Sequence, residues 1–244
     1  MVYSSARIQD LEAAHQMSKV VETFDRWAEQ GRDTEIEREH VDVARQVIAA
    51  MQLRPGERVL DLGCGNGWAT RLIAQANAGV QAIGVDASAK MIARAEALHS
   101  LTIRARYEVG TFEKLDFKDG HFDRVFSMEA LYYAADLAQA IRECFRVLKP
   151  GGSIETLVDY YAESVGSEPW AKVMGLALHR LSESGWKQAF EASGFRNLTT
   201  ARVIDSRGPG AAHAFQADEC EPTFASKEAL HKAGTLRVRG EKPR

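Results

Sequence analysis

The stretch "VLDLGCGNGWAT", residues 59–70, decides the fold: an apolar run meets an acid, then three glycines, then the start of a helix. Glycine inside regular structure costs about 0.5–1 kcal/mol relative to alanine. Gly63, Gly65 and Gly67 within five positions therefore demand a reason beyond an ordinary turn, and the simplest is that something comes close to this backbone.

Working outward, the hydrophobic pattern predicts strand 58–62, helix 67–76, strand 80–85, helix 88–99, strands 104–109 and 122–128, helix 136–148 and strand 153–158. Asp136 is a natural N-cap. Ile141, Phe145 and Leu148 form the inward stripe of its helix, and Lys149-Pro150-Gly151-Gly152 stops it. Such alternation implies an α/β fold with a parallel sheet covered on both faces. Upstream, Val20, Val21, Phe24 and Trp27, then Val41, Ala44, Val47, Ile48 and Met51, recur at helical spacing around a break near Gly31. Residues 1–54 thus read as an N-terminal helical cap and 55–244 as the main body of one structural domain. Residues 159–180 interrupt the alternation with aromatics and a proline and read as a lid. A helix over 182–193 and a strand over 198–204 follow. The stretch 205–234 is irregular apart from a helical turn near 226–233, and 235–239 is a last strand.

With 31 basic and 34 acidic residues the formal net charge is −3, too small a field to gather nucleic acid or an anionic membrane. Cys64, Cys144 and Cys220 are odd in number and lack a CxxC pair, so neither a disulfide framework nor a metal site is expected. The polar start and the absence of a long apolar run suggest no leader and no membrane span, and a cytoplasmic location. Cys64, small and between two glycines, reads as packing.

An open parallel sheet binds its ligand beyond the carboxyl ends of its strands, where 63–67 fall. Asp86, at the tip of the second strand, can accept both hydrogens of a ribose diol, which points to an adenosine cofactor; its plain alternative is a cap on the helix starting near Ser88. A dinucleotide fingerprint spaces its glycines G-x-G-x-x-G. Here the pattern is D-x-G-x-G-x-G from Asp61, which disfavours a nicotinamide-dependent oxidoreductase.

In these residues the chain resembles the class I S-adenosylmethionine-dependent methyltransferases, the broad group that includes quinone-biosynthesis and many small-molecule enzymes. "RVLDLGCGNG" is the most specific block; "IGVDAS", "GTFEKLDFKDGHFDRVFSMEALYY" and "RECFRVLKPGGSI" follow in order. The resemblance implies a Rossmann-like seven-stranded sheet with a reversed last strand. It also implies the methionine part of the cofactor over Gly63, Cys64, Gly65, Asn66 and Gly67 beside Asp61, and the ribose on Asp86 next to Ala87. Met91 would lie near the adenine. Where the family commonly holds the adenine amino group with an acid, this chain has Thr111 and Phe112, with Glu113 beyond. Ser127 and Met128 match positions whose backbone faces the methionyl part.

Since the sulfonium already activates its methyl, alignment carries most of the catalysis and no obligatory catalytic residue follows. Candidates for an aromatic acceptor pocket are Trp27, Tyr132, Tyr133, Tyr160, Tyr161 and Trp170, with His179 as a candidate base. The expectation is in-line methyl transfer to a small molecule, releasing S-adenosylhomocysteine. A non-catalytic cofactor-binding or interaction module is the alternative. The basic end, Lys227 to Arg244, reads as a solvated tail rather than an RNA contact.

Overall fold

The computed structural model describes residues 5–100 and 102–244. Seven strands form one sheet in the order β3-β2-β1-β4-β5-β7-β6: β1 (Arg58–Leu62), β2 (Gln81–Asp86), β3 (Ala105–Val109), β4 (Phe122–Met128), β5 (Leu148–Val158), β6 (Arg196–Val203) and β7 (Thr235–Glu241). The first five are mutually parallel, and β7 runs antiparallel between β5 and β6. Strand order reverses at β1, whose neighbours are β2 and β4, so the segments after β1, β2 and β4 open onto one crevice.

Eight α-helices cover the sheet: α1 (Ser5–Gln30), α2 (Arg32–Ala50), α3 (Trp68–Gln75), α4 (Ala89–Ala97), α5 (Leu137–Val147), α6 (Trp170–Met174), α7 (Glu183–Ala192) and α8 (Phe224–Ala233). Gly31, at φ 76°, supplies the left-handed break between α1 and α2. On one face Val43, Val47 and Ile48 of α2 pack with Ile73 of α3 against Val59 and Phe126. On the other, Ile141 and Cys144 of α5 and Phe190 of α7 meet Leu60, Val125 and Ile154. The second N-terminal helix thus shares the sheet's own core.

Two expectations need correction. Lys149 to Gly152 does not merely end a helix: β5 begins at Leu148, and the N–H of Gly151 donates to the Lys242 carbonyl at 2.8 Å while the N–H of Lys242 donates to Gly152 at 2.9 Å. That pairing extends both β5 and β7. Nor is the basic end a solvated tail. Arg237 and Arg239 lie on a strand with neighbours on both sides, and both reach the buried Glu155 carboxylate, at 2.8 and 3.3 Å.

Candidate cofactor and acceptor site

The glycine segment is built by three different constraints. A Cβ on Gly63 (φ 77°) would lie 2.2 Å from the Ala130 Cβ, and one on Gly67 (φ 77°) 2.4 Å from the Tyr107 ring. Both glycines are therefore demanded by the protein's own packing. Gly65 (φ 52°) differs, because a Cβ there would meet nothing within 4 Å. Only this position offers bare backbone to open space, where a cleft opens.

Asp86 ties that backbone to β2. Its Oδ2 accepts from the Gly65 N–H at 2.9 Å and its Oδ1 from the Ser88 N–H at 2.9 Å. Burial raises its pKa, against the lowering effect of those two N–H donors. The helix cap is Ser88, whose hydroxyl accepts from the Met91 N–H at 3.0 Å. Beneath the segment Asp61 is buried and accepts from the Thr70 hydroxyl at 2.6 Å; burial, reinforced by the charge of Asp86, pushes its pKa to about 7. The Ser127 hydroxyl donates to the Leu62 carbonyl at 3.1 Å. Asp61 and Ser127 hold the strand ends in register and do not face the cleft.

The cleft encloses about 80 Å³, floored by Gly63, Cys64, Gly65 and Asn66, with Asp86, Ala87, Met91, Phe112 and Met128 around it. Thr111 and Glu113 lie off it. The Glu113 carboxylate instead accepts from the Ala135 and Asp136 N–H groups, at 2.7 and 3.2 Å. The roof is α1, through Met17, Val20, Val21 and Phe24. Asp33, at the start of α2, is buried, pairs bidentately with Arg94 and accepts from the Asn66 amide at 2.9 Å, which fastens the N-terminal helices to the glycine segment. Asn66, read from the sequence only as a member of the loop, is thus its anchor.

A second cavity of about 510 Å³ adjoins the first and shares with it Phe24, Ile36, His40, Glu129 and Tyr133. Of the expected acceptor residues, Trp27, Tyr132, Tyr133 and Trp170 line it. Tyr160, Tyr161 and His179 do not. Tyr160 stacks on Trp170 with ring centroids 6.1 Å apart. The Tyr161 hydroxyl donates to the Ala233 and Gly234 carbonyls at 3.0 and 2.9 Å. The His179 ring sits 2.9 Å from the Ala134 carbonyl and the His179 backbone N–H donates to the Tyr132 carbonyl at 3.0 Å, latching residues 159–180 to the chain after β4.

Where the cavities meet stands a cluster that sequence reasoning missed. His40 of α2, Glu129 after β4 and Asp159 after β5 place donor atoms within 4.8 Å of one another. The His40 Nδ1–H donates to the Ile36 carbonyl at 2.8 Å, and Nε2 lies 3.4 Å from Asp159 Oδ2. Glu129 accepts from the Asp159 N–H and, at 2.7 Å, from the Tyr132 hydroxyl. Burial, with repulsion from Asp159, pushes the Glu129 carboxyl to about 8. Burial alone would lower His40; the hydrogen bond and charge of Asp159 outweigh it and raise the imidazole to about 9. Glu129 also holds a left-handed backbone, φ 52°, a conformation that costs a non-glycine residue about 1–2 kcal/mol. The one advance signal was an acid directly beyond a strand at the crevice.

A family model described as a methyltransferase domain matches residues 60–156. A methyltransferase solved in complex with the Haloferax volcanii Trm112 methyltransferase activator is 34% identical with a TM-score of 0.82, the match covering 91% of this chain and 98% of that one. Among curated relatives, a malonyl-[acyl-carrier protein] O-methyltransferase of Erwinia billingiae is 40% identical over 101 residues, 41% of this chain and 38% of that protein. Squalene methyltransferase 1 of Botryococcus braunii is 38% identical over 206 residues, 79% of this chain and 51% of that protein. The chain thus matches only about a third to a half of the length of these curated relatives. With an order of strands, a glycine segment and an acid at the tip of β2 that agree with these likenesses, the chain belongs to the class I S-adenosylmethionine-dependent methyltransferases.

Proposed function

We propose that the protein transfers a methyl group from S-adenosylmethionine to a small molecule bound in the second cavity. The observation that carries this reading is the junction: two cavities, one over the glycine segment and one walled by aromatics, share five residues. The cleft suits the cofactor, since Gly65 leaves room at bare backbone and Asp86 stands at the rim with lone pairs beyond the two backbone bonds it accepts. Gly63, Gly65 and Asn66 would hold the methionine part, Asp86 the ribose, and Met91 and Phe112 the adenine. Bound there, S-adenosylmethionine supplies an electrophilic methyl on a positively charged sulfur and leaves as S-adenosylhomocysteine.

The chain's own groups align the acceptor and dry the site. Phe24 and α1 roof the cleft against water, Trp27 and Tyr133 flank the acceptor, and Glu129 is placed to take the proton of a hydroxyl or ammonium nucleophile. A general base of this kind contributes roughly 10²–10⁴-fold. His40 would hold Asp159 and Glu129 in place by charge. The three cysteines, unpaired among the described residues, agree with a reducing cytoplasm. Across the described residues no helix is long and apolar enough to cross a membrane.

Equilibrium binding of S-adenosylhomocysteine and methyl transfer from labelled cofactor to a metabolite panel test the proposal. No saturable binding at micromolar concentration refutes it, and binding without any transfer favours a non-catalytic module. The 34% identical relative solved with an activator supports a second reading, that this chain also takes an activator protein. Co-expression with such a protein, followed by size-exclusion chromatography, decides whether a complex forms.

A further inference from the structure

The cluster at the junction of the cavities holds the donor set of a metal site. His40, Glu129 and Asp159 come from α2, from the segment after β4 and from the segment after β5, and each offers a ligand atom within 4.8 Å of those of the other two. One imidazole nitrogen and two carboxylate oxygens suit a divalent ion of the zinc and manganese type. Among the described residues no arginine or lysine pairs with Glu129 or Asp159, so the one cation set against them is His40.

The spacing agrees with an ion between these groups. His40 Nε2 lies 3.4 Å from Asp159 Oδ2, long for an N–H···O bond, which prefers about 2.7–3.2 Å. Donors placed tetrahedrally about 2.0–2.1 Å from a zinc ion stand roughly 3.3–3.4 Å apart, so this gap already has the width a bound ion requires. The ligand atoms are also held from outside the cluster. The His40 Nδ1–H donates to the Ile36 carbonyl at 2.8 Å, which leaves Nε2 as the coordinating nitrogen, and the Tyr132 hydroxyl donates to Glu129 at 2.7 Å. Such outer bonds fix the tautomer of a ligating histidine and the aim of a ligating carboxylate.

Three protein ligands leave a fourth position open. His40 and Glu129 line both cavities and Asp159 lines the second, so that position lies where the acceptor's space meets the cleft. We infer that His40, Glu129 and Asp159 form a site for a divalent ion of the zinc class, whose open position takes an oxygen of the acceptor. The site stands by itself; its role rests on the methyl-transfer reading. With the ion bound, Glu129 serves as a ligand, and a hydroxyl coordinated at the open position gives its proton to water while the O–H electron pair stays on the oxygen.

Chelator-treated protein is titrated calorimetrically with Zn²⁺, and with Mg²⁺ for comparison. One Zn²⁺ per chain should bind saturably at micromolar concentration and raise Tm, with Mg²⁺ at least tenfold weaker. His40→Gln and Asp159→Asn should each weaken Zn²⁺ tenfold or more and remove the rise in Tm. Glu39→Gln, which alters an exposed carboxylate of the same cavity, should change neither. Co²⁺ in place of Zn²⁺ should give the strong visible absorption of a four-coordinate ion, and acetohydroxamate, an oxygen-donor probe, should shift that absorption. No saturable Zn²⁺ binding to the unaltered protein overturns the inference. So does Zn²⁺ binding that survives both substitutions, which would show an adventitious ion only. A Co²⁺ spectrum that acetohydroxamate leaves unchanged overturns the open position. None of these measurements needs the cofactor, so failure to bind S-adenosylhomocysteine refutes the methyl-transfer reading and not the metal site.

Discussion

Adding one methyl group at Gly63 or at Gly65 should produce opposite phenotypes. At Gly63 the new Cβ would lie 2.2 Å from the Ala130 Cβ and 3.2 Å from Phe112, with the backbone at φ 77°. Overpacking costs about 1–3 kcal/mol and left-handed backbone about 1–2 kcal/mol, together roughly 2–5 kcal/mol from a stability typically near 5–15 kcal/mol. At roughly 2–4 °C per kcal/mol for a chain of this size, Gly63→Ala should lower Tm by at least about 4 °C. Gly65→Ala has open space around it and carries only the left-handed strain, offset by about 0.4–1 kcal/mol of lost freedom in the unfolded chain. Its Tm should move by a few degrees at most. Its methyl group, however, projects into the cleft where the cofactor's approach depends on bare backbone, so calorimetric titration should find S-adenosylhomocysteine binding weakened tenfold or more, about 1.4 kcal/mol. A Gly65→Ala protein that is stable and binds with unchanged affinity refutes the argument that this glycine exists for the ligand.

Asp86→Ala should weaken cofactor binding about 30- to 150-fold, from the 2–3 kcal/mol of a charged double contact, while Ser88→Ala, which removes a helix cap and the hydroxyl's bond to Asp25, should cost about 1–3 kcal/mol in stability and change that affinity far less. Equal losses in the two variants would make Asp86 a scaffold residue. Stability should fall between pH 6 and 9, because Glu129, His40 and Asp61 have folded pKa values, about 8, 9 and 7, above their ordinary 4.5, 6.5 and 3.8. Raised values mean protons bound in the folded state, so their contribution is intact below the unfolded pKa and is lost as pH rises through the folded one. Urea midpoints measured across that range should drop, less steeply in Glu129→Gln, and a rising midpoint contradicts the assignment. His179→Ala removes a latch to the Ala134 carbonyl, so it should cost about 1 kcal/mol without shifting any pH–activity profile; a shifted profile would restore His179 as a base.

The sheet and its crevice were readable because local patterns specify them. Alternating apolar runs, Asp136 as a cap and three glycines beyond β1 each act within a few residues. What escaped was what distant segments do to each other. Gly63 and Gly67 invite a ligand explanation until Ala130 and Tyr107 are seen against them. Glu113 sits near the place where an adenine-binding acid is looked for, yet it is occupied by two amides of the turn after β4. His40, Glu129 and Asp159 come from three elements far apart in the chain, so no spacing announces them. Arg237 and Arg239 resemble a loose basic end only while their partner Glu155, one strand over, is out of view.

The roof over the cleft has a kinetic meaning. Phe24 faces both cavities, and α1 is pinned at several points: Asp25 to Ser88, Glu29 to Lys90, Gln16 to the Ala177 carbonyl. If the proposed cofactor sits beneath this beam, lifting the beam would free it and would also strip a wall from the neighbouring chamber. Discharge of both products would then be coupled, and the pace of turnover is expected to follow how often a 26-residue helix swings open rather than how fast a bond is made.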